Sequence, residues 1–482
     1  MKLNRLIQDV EVSETHGGSE VEISAVTFDS RKVKPGTLFI AITGTIADGH
    51  AYIEKAVAKG AVAIVCEKLP ETMDPGVAFS LTPNSRKALA IIAAEWYGHP
   101  SREISLVGIT GTNGKTTIAT LLYKVNTGLG YKAGILTTIE VIINGKRHPA
   151  THTTPDPMQI NSWIRRMVDA GCAYCFMEVS SHALSQHRVD GLTFKGGVFT
   201  NLTHDHLDYH KDFNAYLKAK KSFFDMLEEG AFALTNADDK NGKVMLQNTR
   251  ASKLSYGLGR RADFNAKILE PHFGGMRLLV DEREVWVKLT GRFNASNILA
   301  VYGVCVLLDH DKTEILEAVS KADAAAGRFQ VLRGAEGTVA VIDYAHTDDA
   351  LKNVLEAIRE VNLEGREIIT VIGAGGDRDR AKRPKMGAVA ASLSNKVILT
   401  SDNPRSEDPA MIMEEMENGI GQEQRGAILK IADREEAIKT ACMIAGPESL
   451  VLVAGKGHEK TQEIRGEKKH FDDEEVITKY LK

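Results

Sequence analysis

The stretch Gly111-Thr112-Asn113-Gly114-Lys115-Thr116-Thr117 combines residue types that bind polyphosphate. Glycines let successive backbone N–H groups turn inward around an anion. Lys115 can reach the outer phosphates, and the Thr116 hydroxyl can hold Mg²⁺. The expected ligand is ATP or GTP. The strict pattern for such loops asks for glycine at position 109, where this chain has Ile109, so the match fails by spacing while the chemistry still fits. A plain glycine-rich turn would leave unexplained why a strand, Gly-Lys-Thr-Thr and a helix coincide.

Two further groups could act on a bound nucleotide. The apolar run from Ala173 ends on Glu178, and a carboxylate at a strand end near a phosphate loop is placed to hold Mg²⁺. His204-Asp205-His206-Leu207-Asp208-Tyr209-His210 packs three histidines and two aspartates into seven residues of a chain with 15 histidines, a polar cluster suited to catalysis. On the helix that follows, Tyr216, Lys220 and Phe223 share one face while Lys218 and Lys221 point elsewhere. An inward lysine near metals is costly unless it binds an anion or is chemically modified.

These residues need a scaffold. Ile104 to Ile109 reads as a buried parallel strand, and Ile118, Leu121, Leu122, Val125 and Leu129 recur at helical spacing behind the glycines. The alternation of strand and helix continues through the chain, which predicts an α/β protein of three domains. Residues 1–100 form a small N-terminal α/β domain, 101–328 a central P-loop-type, mostly parallel sheet, and 329–482 a Rossmann-like domain. A helix from about Ser85 to Tyr97, ending before Pro100, leads into the central domain. In the last third, three successive strands run into Gly373-Ala-Gly-Gly-Asp-Arg-Asp379, Ser401-Asp-Asn-Pro-Arg405 and Ala454-Gly-Lys-Gly-His-Glu459, polar loops on the edge where such sheets bind ligands. Asn297 could hydrogen-bond a base edge, and Asn294 could cap its helix.

Composition narrows the class. Hydrophobic residues make up 43% of the chain and charged ones 26%, and 60 basic against 64 acidic residues give a net charge of −4. No basic field argues for nucleic acid or an anionic membrane, so phosphate binding must be local. No apolar run approaches a membrane span, and Met1-Lys-Leu-Asn-Arg5 leads into an acidic segment, so the expected location is the cytoplasm. The five cysteines mostly sit in apolar runs, as small buried hydrophobes do, and Cys172-Ala-Tyr-Cys175 has no second pair to make a zinc site.

Together with Thr153-Thr154-Pro155, Glu178-Val-Ser-Ser181, Asn201, Asp205-His206, Asn297, Arg328, Asp343-Tyr-Ala-His346, Asp402-Asn-Pro-Arg405 and Gly455-Lys-Gly-His-Glu459, the phosphate loop resembles the Mur ligases across the whole chain. The resemblance implies an ATP-dependent enzyme of peptidoglycan precursor synthesis that adds meso-2,6-diaminopimelate to UDP-N-acetylmuramoyl-L-alanyl-D-glutamate through an acyl phosphate. It implies that Phe28, Ser30, Thr45, Ile46 and Ala47 contact UDP, and that His152, Thr153, Thr154, Ser180, Gln186 and Arg188 bind the muramoyl-dipeptide. Gly111 to Thr117, Asn297, Arg328 and Asp343 would hold ATP. Two Mg²⁺ ions would sit on Thr116, Glu178, His206 and Lys220, the last as a carbamate that turns a repelling cation into an anionic ligand. Lys115, Lys220, His206 and Glu178 would be the catalytic set.

Arg378, Asp402, Asn403, Pro404, Arg405, Gly455 and Glu459 would form the amino-acid pocket. A planar guanidinium at 405 can grip the second carboxylate that distinguishes diaminopimelate from lysine. The family usually has proline where this chain has Asp348, itself a good first-turn residue. A lysine-adding relative, a folylpolyglutamate synthetase-like ligase and a non-catalytic ATP switch are the competing readings. The enzyme is expected to act as a monomer on small molecules, without nucleic acid or membrane partners.

Overall fold

The chain is described by a computed structural model covering residues 1–481 except 45, 46, 204, 206 and 363, with the side chains of 207 and 208 also outside the description. Thr45, Ile46 and His206, named above as site residues, therefore lie outside the described residues.

Three sheets follow one another along the chain, with a two-stranded hairpin near its end. The first has five strands, with Ala25–Thr27, Thr37–Ile40, Ala61–Cys66 and Ala78–Leu81 parallel and Glu14–His16 antiparallel on the edge. The eleven-stranded second sheet places Ser105–Thr110 at its centre, between Tyr174–Glu178 and Gly196–Phe199 and parallel to both. Register brings Glu178 opposite Ile109 and Phe199 opposite Thr110, so the three strands release their chains at one edge. Antiparallel strands extend this sheet at both ends, Glu140–Ile143 and Lys146–Pro149 on one side, Gly275–Val280 and Arg283–Val287 on the other.

Alternation along Ser105–Thr110 decides what packs on each face. Val107 and Ile109 meet Ile118, Leu121, Leu122 and Val125 of the helix Lys115–Gly128 and Ile298 and Val301 of the helix Arg292–Leu307. Leu106 faces the opposite layer with Cys175, Met177, Ile160, Ile164, Tyr216, Phe223 and Phe224. Each such fully buried large side chain stabilises the fold by about 1.5–3 kcal/mol relative to exposure, and both helices are fixed to the sheet by that burial.

The third sheet runs Gln330–Arg333, Val339–Asp343, Leu450–Ala454, Ile368–Ile372, Lys396–Leu399 and Ile428–Lys430, with every pairing parallel but the first. Asp343 and Ile372 both pair with Ala454, and Leu399 pairs with Ile372. The loops after these four strands thus leave side by side. The hairpin Thr461–Ile464 with Glu467–His470 lies against them, joined through a bridge from Arg405 to Ile464.

Some local expectations shift. Asn294 does not cap its helix: Gly291 precedes Arg292–Leu307, and the Asn294 side chain instead donates to the Thr290 carbonyl at 2.8 Å. In the first domain, where Glu22 to Phe28 alternates in a strand-like pattern, only Ala25–Thr27 forms a strand. Thr347 caps the helix Asp348–Val361, its hydroxyl accepting from the Ala350 N–H at 3.2 Å, with Asp348 and Asp349 in the first turn. All five cysteines are buried and free. Among the described residues no helix is long and apolar enough to cross a membrane.

Candidate functional site

The phosphate loop is built from backbone conformations that a side chain would oppose. Gly111 and Gly114 sit at φ 153° and 87°. A Cβ on Gly111 would lie 1.8 Å from Thr200 Oγ1, and one on Gly114 would lie 2.6 Å from Asn297 Oδ1. Neighbouring strand-end residues then brace the loop. Asn201 Oδ1 accepts the Asn113 N–H at 2.9 Å, its carbonyl accepts the Thr112 N–H at 2.9 Å, and the Thr200 hydroxyl donates to the Asn113 carbonyl at 2.6 Å.

Glu178 is almost fully buried at the end of its strand and faces the loop helix. Its Oε1 accepts from the Thr116 hydroxyl at 2.8 Å and from the Thr138 N–H at 2.9 Å, while Oε2 accepts from the Thr138 hydroxyl at 3.2 Å. Thr138 escaped the sequence reading. The only signal for it is the apolar run Gly134 to Leu136 ending on Thr137-Thr138. Thr154 donates its hydroxyl to the Glu178 carbonyl at 2.8 Å and accepts the Ser180 N–H at 3.0 Å, and Thr153 accepts the Thr138 hydroxyl at 3.0 Å.

Lys220 comes from the helix Phe213–Asp225, whose N-terminus is capped by Asp212 accepting from the Ala215 N–H. Spacing puts Tyr216, Lys220 and Phe223 on the buried face, and Lys220 is 1% exposed. Its ammonium donates to the Gly111 carbonyl at 2.8 Å and lies 4.7 Å from the Tyr216 ring centroid. Burial holds this amine well below the ordinary lysine value, the Lys115 charge pushes it the same way, and Asp205 opposes them. Lys115 Nζ donates to the carbonyls of Gly111 and Thr112 at 2.9 and 2.7 Å, and burial lowers its pKa as well.

A cleft of about 380 Å³ collects Lys115, Thr116, His152, Thr153, Thr154, Glu178, Ser180, Arg188, Asp205 and Lys220 with Arg328 and Arg378. Gln186 stands behind it, accepting from Arg188 at 2.8 Å and donating to the Tyr209 hydroxyl at 3.1 Å. A second cleft, also about 380 Å³, collects Asn113, Gly114, Thr117, Asn297, Arg328 and Asp343 with Tyr256, Phe293, Tyr344 and Asp349. Arg328 borders both: Nη2 donates to Thr116 Oγ1 at 3.2 Å, and its guanidinium lies 4.6 Å from the Tyr344 ring centroid. Asp343 accepts the Phe329 N–H at 2.7 Å, and its burial raises the carboxyl to about 6. Asp349, a residue that sequence patterns do not single out, accepts from Asn113 Nδ2 at 3.3 Å across the two sheets.

The loops of the third sheet form a separate group. Gly375 lies where an added Cβ would be 3.1 Å from Arg405 Nη1 and 3.7 Å from Arg378 Cγ, so the two arginines converge on one loop. Arg405 sits at φ 51° and donates to the Gly376 carbonyl at 2.5 Å. A Cβ on Gly455 would meet Asp402 Oδ2 at 2.6 Å. Asn403 Nδ2 donates to Glu459 Oε2 at 2.7 Å. The Pro404 carbonyl accepts the Glu407 N–H at 3.0 Å, turning the chain after the motif.

Phe28, Ser30 and Ala47 lie in neither cleft. Phe28 packs on the core of the first sheet, the Ser30 carbonyl accepts from Lys59 at 3.0 Å, and the Ala47 carbonyl accepts the Gly44 N–H at 2.9 Å.

Comparison with known proteins accounts for all three sheets. Residues 22–97 match the Mur ligase family catalytic domain, 109–305 the Mur ligase middle domain and 327–457 the Mur ligase glutamate ligase domain. The chain is 53% identical over 478 residues to a UDP-N-acetylmuramoyl-L-alanyl-D-glutamate–2,6-diaminopimelate ligase of Parabacteroides distasonis, covering 99% of this chain and 98% of that one. It is 52% identical over 478 residues to the protein of the same name from Phocaeicola vulgatus, covering 99% of each. A solved structure of a ligase of that name superposes with a TM-score of 0.70 at 30% identity, covering 100% of this chain and 98% of the other.

Proposed function

This chain belongs to the Mur ligase family, and we infer from its two facing loop edges that it joins meso-2,6-diaminopimelate to UDP-N-acetylmuramoyl-L-alanyl-D-glutamate, converting ATP to ADP and phosphate. The observation that carries this reading is Arg328, which touches Thr116 of the phosphate loop while bordering the cleft of Asn297 and Asp343 and reaching Tyr344 of the third sheet. A nucleotide between these walls would have its phosphates beside Lys115 and its base beside Asn297. Residues 1–100 would take the UDP end through Phe28, Ser30 and residues 45–47, residues 101–328 would take ATP, and residues 329–482 the amino acid.

The chemistry is set by charge. A substrate carboxylate must approach the γ-phosphate, and two anions meet only where cations and aimed donors compensate them. Lys115 and the N–H groups of the loop supply part of this. His152, Thr153, Thr154, Ser180 and Arg188 would hold the dipeptide so that its terminal carboxylate points at the phosphate. A carboxylate oxygen bonds to the γ-phosphorus as the P–O bond to ADP breaks and ADP leaves. The acyl phosphate is then attacked by the amine of the incoming amino acid, the C–N bond forms, phosphate leaves with the C–O bond's electrons, and the amine gives up its proton. Walls contributed by both sheets keep water from the activated carbonyl.

Thr116 and Glu178 offer hard oxygen donors beside the loop, a donor set that fits Mg²⁺. His206 and Lys220 would complete a second site, and two Mg²⁺ ions bound there would neutralise phosphate charge. Lys220 suits this role only if it carries no positive charge. Its lowered pKa leaves the amine free to add CO₂, forming an N–C bond and releasing a proton, and the carbamate would then be an anionic oxygen ligand.

Half-buried Arg405 and exposed Arg378 would supply the cationic wall that a second carboxylate requires, and lysine, which lacks that carboxylate, would leave the Arg405 guanidinium without an anion. An assay of phosphate release over a matrix of nucleotide precursors and amino acids tests the reading. Release should require ATP, UDP-N-acetylmuramoyl-L-alanyl-D-glutamate and diaminopimelate together. Equal turnover of lysine would overturn the amino-acid choice, and release without any amino acid would overturn ligation. Separately, Lys220→Ala should abolish ligation, with partial recovery in short carboxylates such as acetate; near-normal activity of the variant would remove the carbamate.

A further inference from the structure

We propose that Lys456 is a positioning residue of the amino-acid pocket, locking Glu459 and Asn403 into one arrangement; this rests on the reading of that pocket given above. Lys456 has a fully buried side chain, 0% exposed, so its ammonium does not reach a bound amino acid. All its hydrogens have acceptors: Thr461 O at 2.7 Å, Glu459 Oε2 at 3.2 Å and Asn403 Oδ1 at 3.3 Å. Asn403 Nδ2 donates to the same Glu459 Oε2 at 2.7 Å, which closes a triangle of ammonium, amide and carboxylate. The other carboxylate oxygen accepts from the Tyr344 hydroxyl at 3.3 Å.

The third acceptor ties this triangle to the hairpin. From Thr461 the strand continues to Gln462, whose Nε2 donates to the Asp402 carbonyl at 2.9 Å, and to Glu463, whose N–H donates to Asn403 Oδ1 at 3.0 Å. The Glu463 carbonyl accepts the Arg405 N–H at 3.1 Å, and the Arg405 carbonyl accepts the Arg465 N–H at 2.6 Å. Lys456 therefore stands where the 402–405 loop, the 455–459 loop and the hairpin meet. The left-handed backbone of Arg405 is held by the strand that Lys456 anchors. Without the ammonium, Glu459, which is 31% exposed, keeps one donor on Oε2 and can turn to solvent.

The test uses the full chain with Lys456→Met and Lys456→Gln. With ATP and the UDP precursor saturating, KM for diaminopimelate should rise roughly tenfold or more, as expected for displaced positioning groups. KM for the other two substrates should stay within about twofold. Because Lys456 acts partly through Glu459, adding Lys456→Met to Glu459→Gln should raise KM by clearly less than the same change does in the wild-type chain, a non-additivity that general damage would not produce. Hydrogen exchange supplies a readout independent of turnover: the amides of Arg405 and Glu463 should exchange faster in Lys456→Met, while those of residues 111–117 stay unchanged. Additive kinetic effects, equal rises in all three KM values, or unchanged exchange at Arg405 and Glu463 would each overturn the proposal. Unfolding of both variants would also overturn it, by making Lys456 a support of the sheet. If wild-type protein fails to use diaminopimelate, the functional reading falls, and the exchange measurement still decides the placement of Lys456.

Discussion

The carboxyl edges of the second and third sheets treat their cations differently. At the second, Lys115 and Lys220 donate to backbone carbonyls of the phosphate loop, and among the described residues neither enters an ion pair. At the third, the supporting cations are matched: Lys456 with Glu459, Arg434 with Asp473, and Arg383 with both Glu407 and Glu415. Arg405 and Arg378, which converge on Gly375, stand there without a carboxylate partner among the described residues. Pairing marks a cation that builds the scaffold, and the lack of it marks one kept for an anionic ligand. At Lys115 and Lys220 burial lowers the basicity of the amine.

Substitution of each kind of cation probes this distinction. Lys115→Met should reduce ATP-dependent phosphate release by roughly 10²–10³-fold or more, while thermal unfolding shows a midpoint that does not fall. A clear drop in the midpoint would turn Lys115 into a scaffold cation and dissolve the contrast. Arg383→Met should do the reverse in kind. Arg383 is completely buried, and its guanidinium holds Glu407 at 2.8 Å, Glu415 at 2.8 Å and the Gly375 carbonyl at 3.1 Å. Its loss should cost about 2–3 kcal/mol in denaturant unfolding, below the value for a pair buried on both sides because the carboxylates are partly exposed. A loss under about 0.5 kcal/mol would place Arg383 with ordinary surface pairs.

Acid sharpens the same comparison. Arg383 beside Glu407 holds that carboxyl at about 2, below its ordinary 4.5. The unfolded chain binds the proton more readily, so this contribution to stability is complete above about pH 4.5 and is lost as pH falls towards 2. Glu407→Gln should flatten the decline of unfolding free energy over that window; an unchanged slope would mean the pair carries no linkage. The smallest effect is expected at the helix that faces the phosphate loop. Thr347 is already extended at φ −127° and ψ 157°, so Asp348→Pro at the first helical position should alter stability by less than about 1 kcal/mol and leave turnover intact.

What the sequence discloses about these edges depends on whether a feature is local. Ser105–Thr110 runs straight into its glycines, and Tyr174–Glu178 ends on its carboxylate, so both could be read from hydrophobic pattern and loop chemistry. The buried face of Phe213–Asp225 was equally legible, because Tyr216, Lys220 and Phe223 keep helical spacing. Thr138, Asp349 and Arg383 were not, since their partners come from other strands and helices. Lys456 sat inside a recognised motif, yet its work appears only once the hairpin lies beside Asn403. The UDP contacts assigned to Phe28, Ser30 and Ala47 rested mainly on resemblance, and neither cleft gathers them.

The strand order of the third sheet also bears on how the polypeptide is made. Leu450–Ala454, nearly the last strand to leave the ribosome, inserts between Val339–Asp343 and Ile368–Ile372. Until it emerges, those two apolar strands have open backbone edges and no neighbour on their inner sides, a template for mispairing with other nascent chains. Translation pauses or truncations upstream of residue 450 should therefore yield aggregates, and chaperone demand should fall sharply once that strand is released.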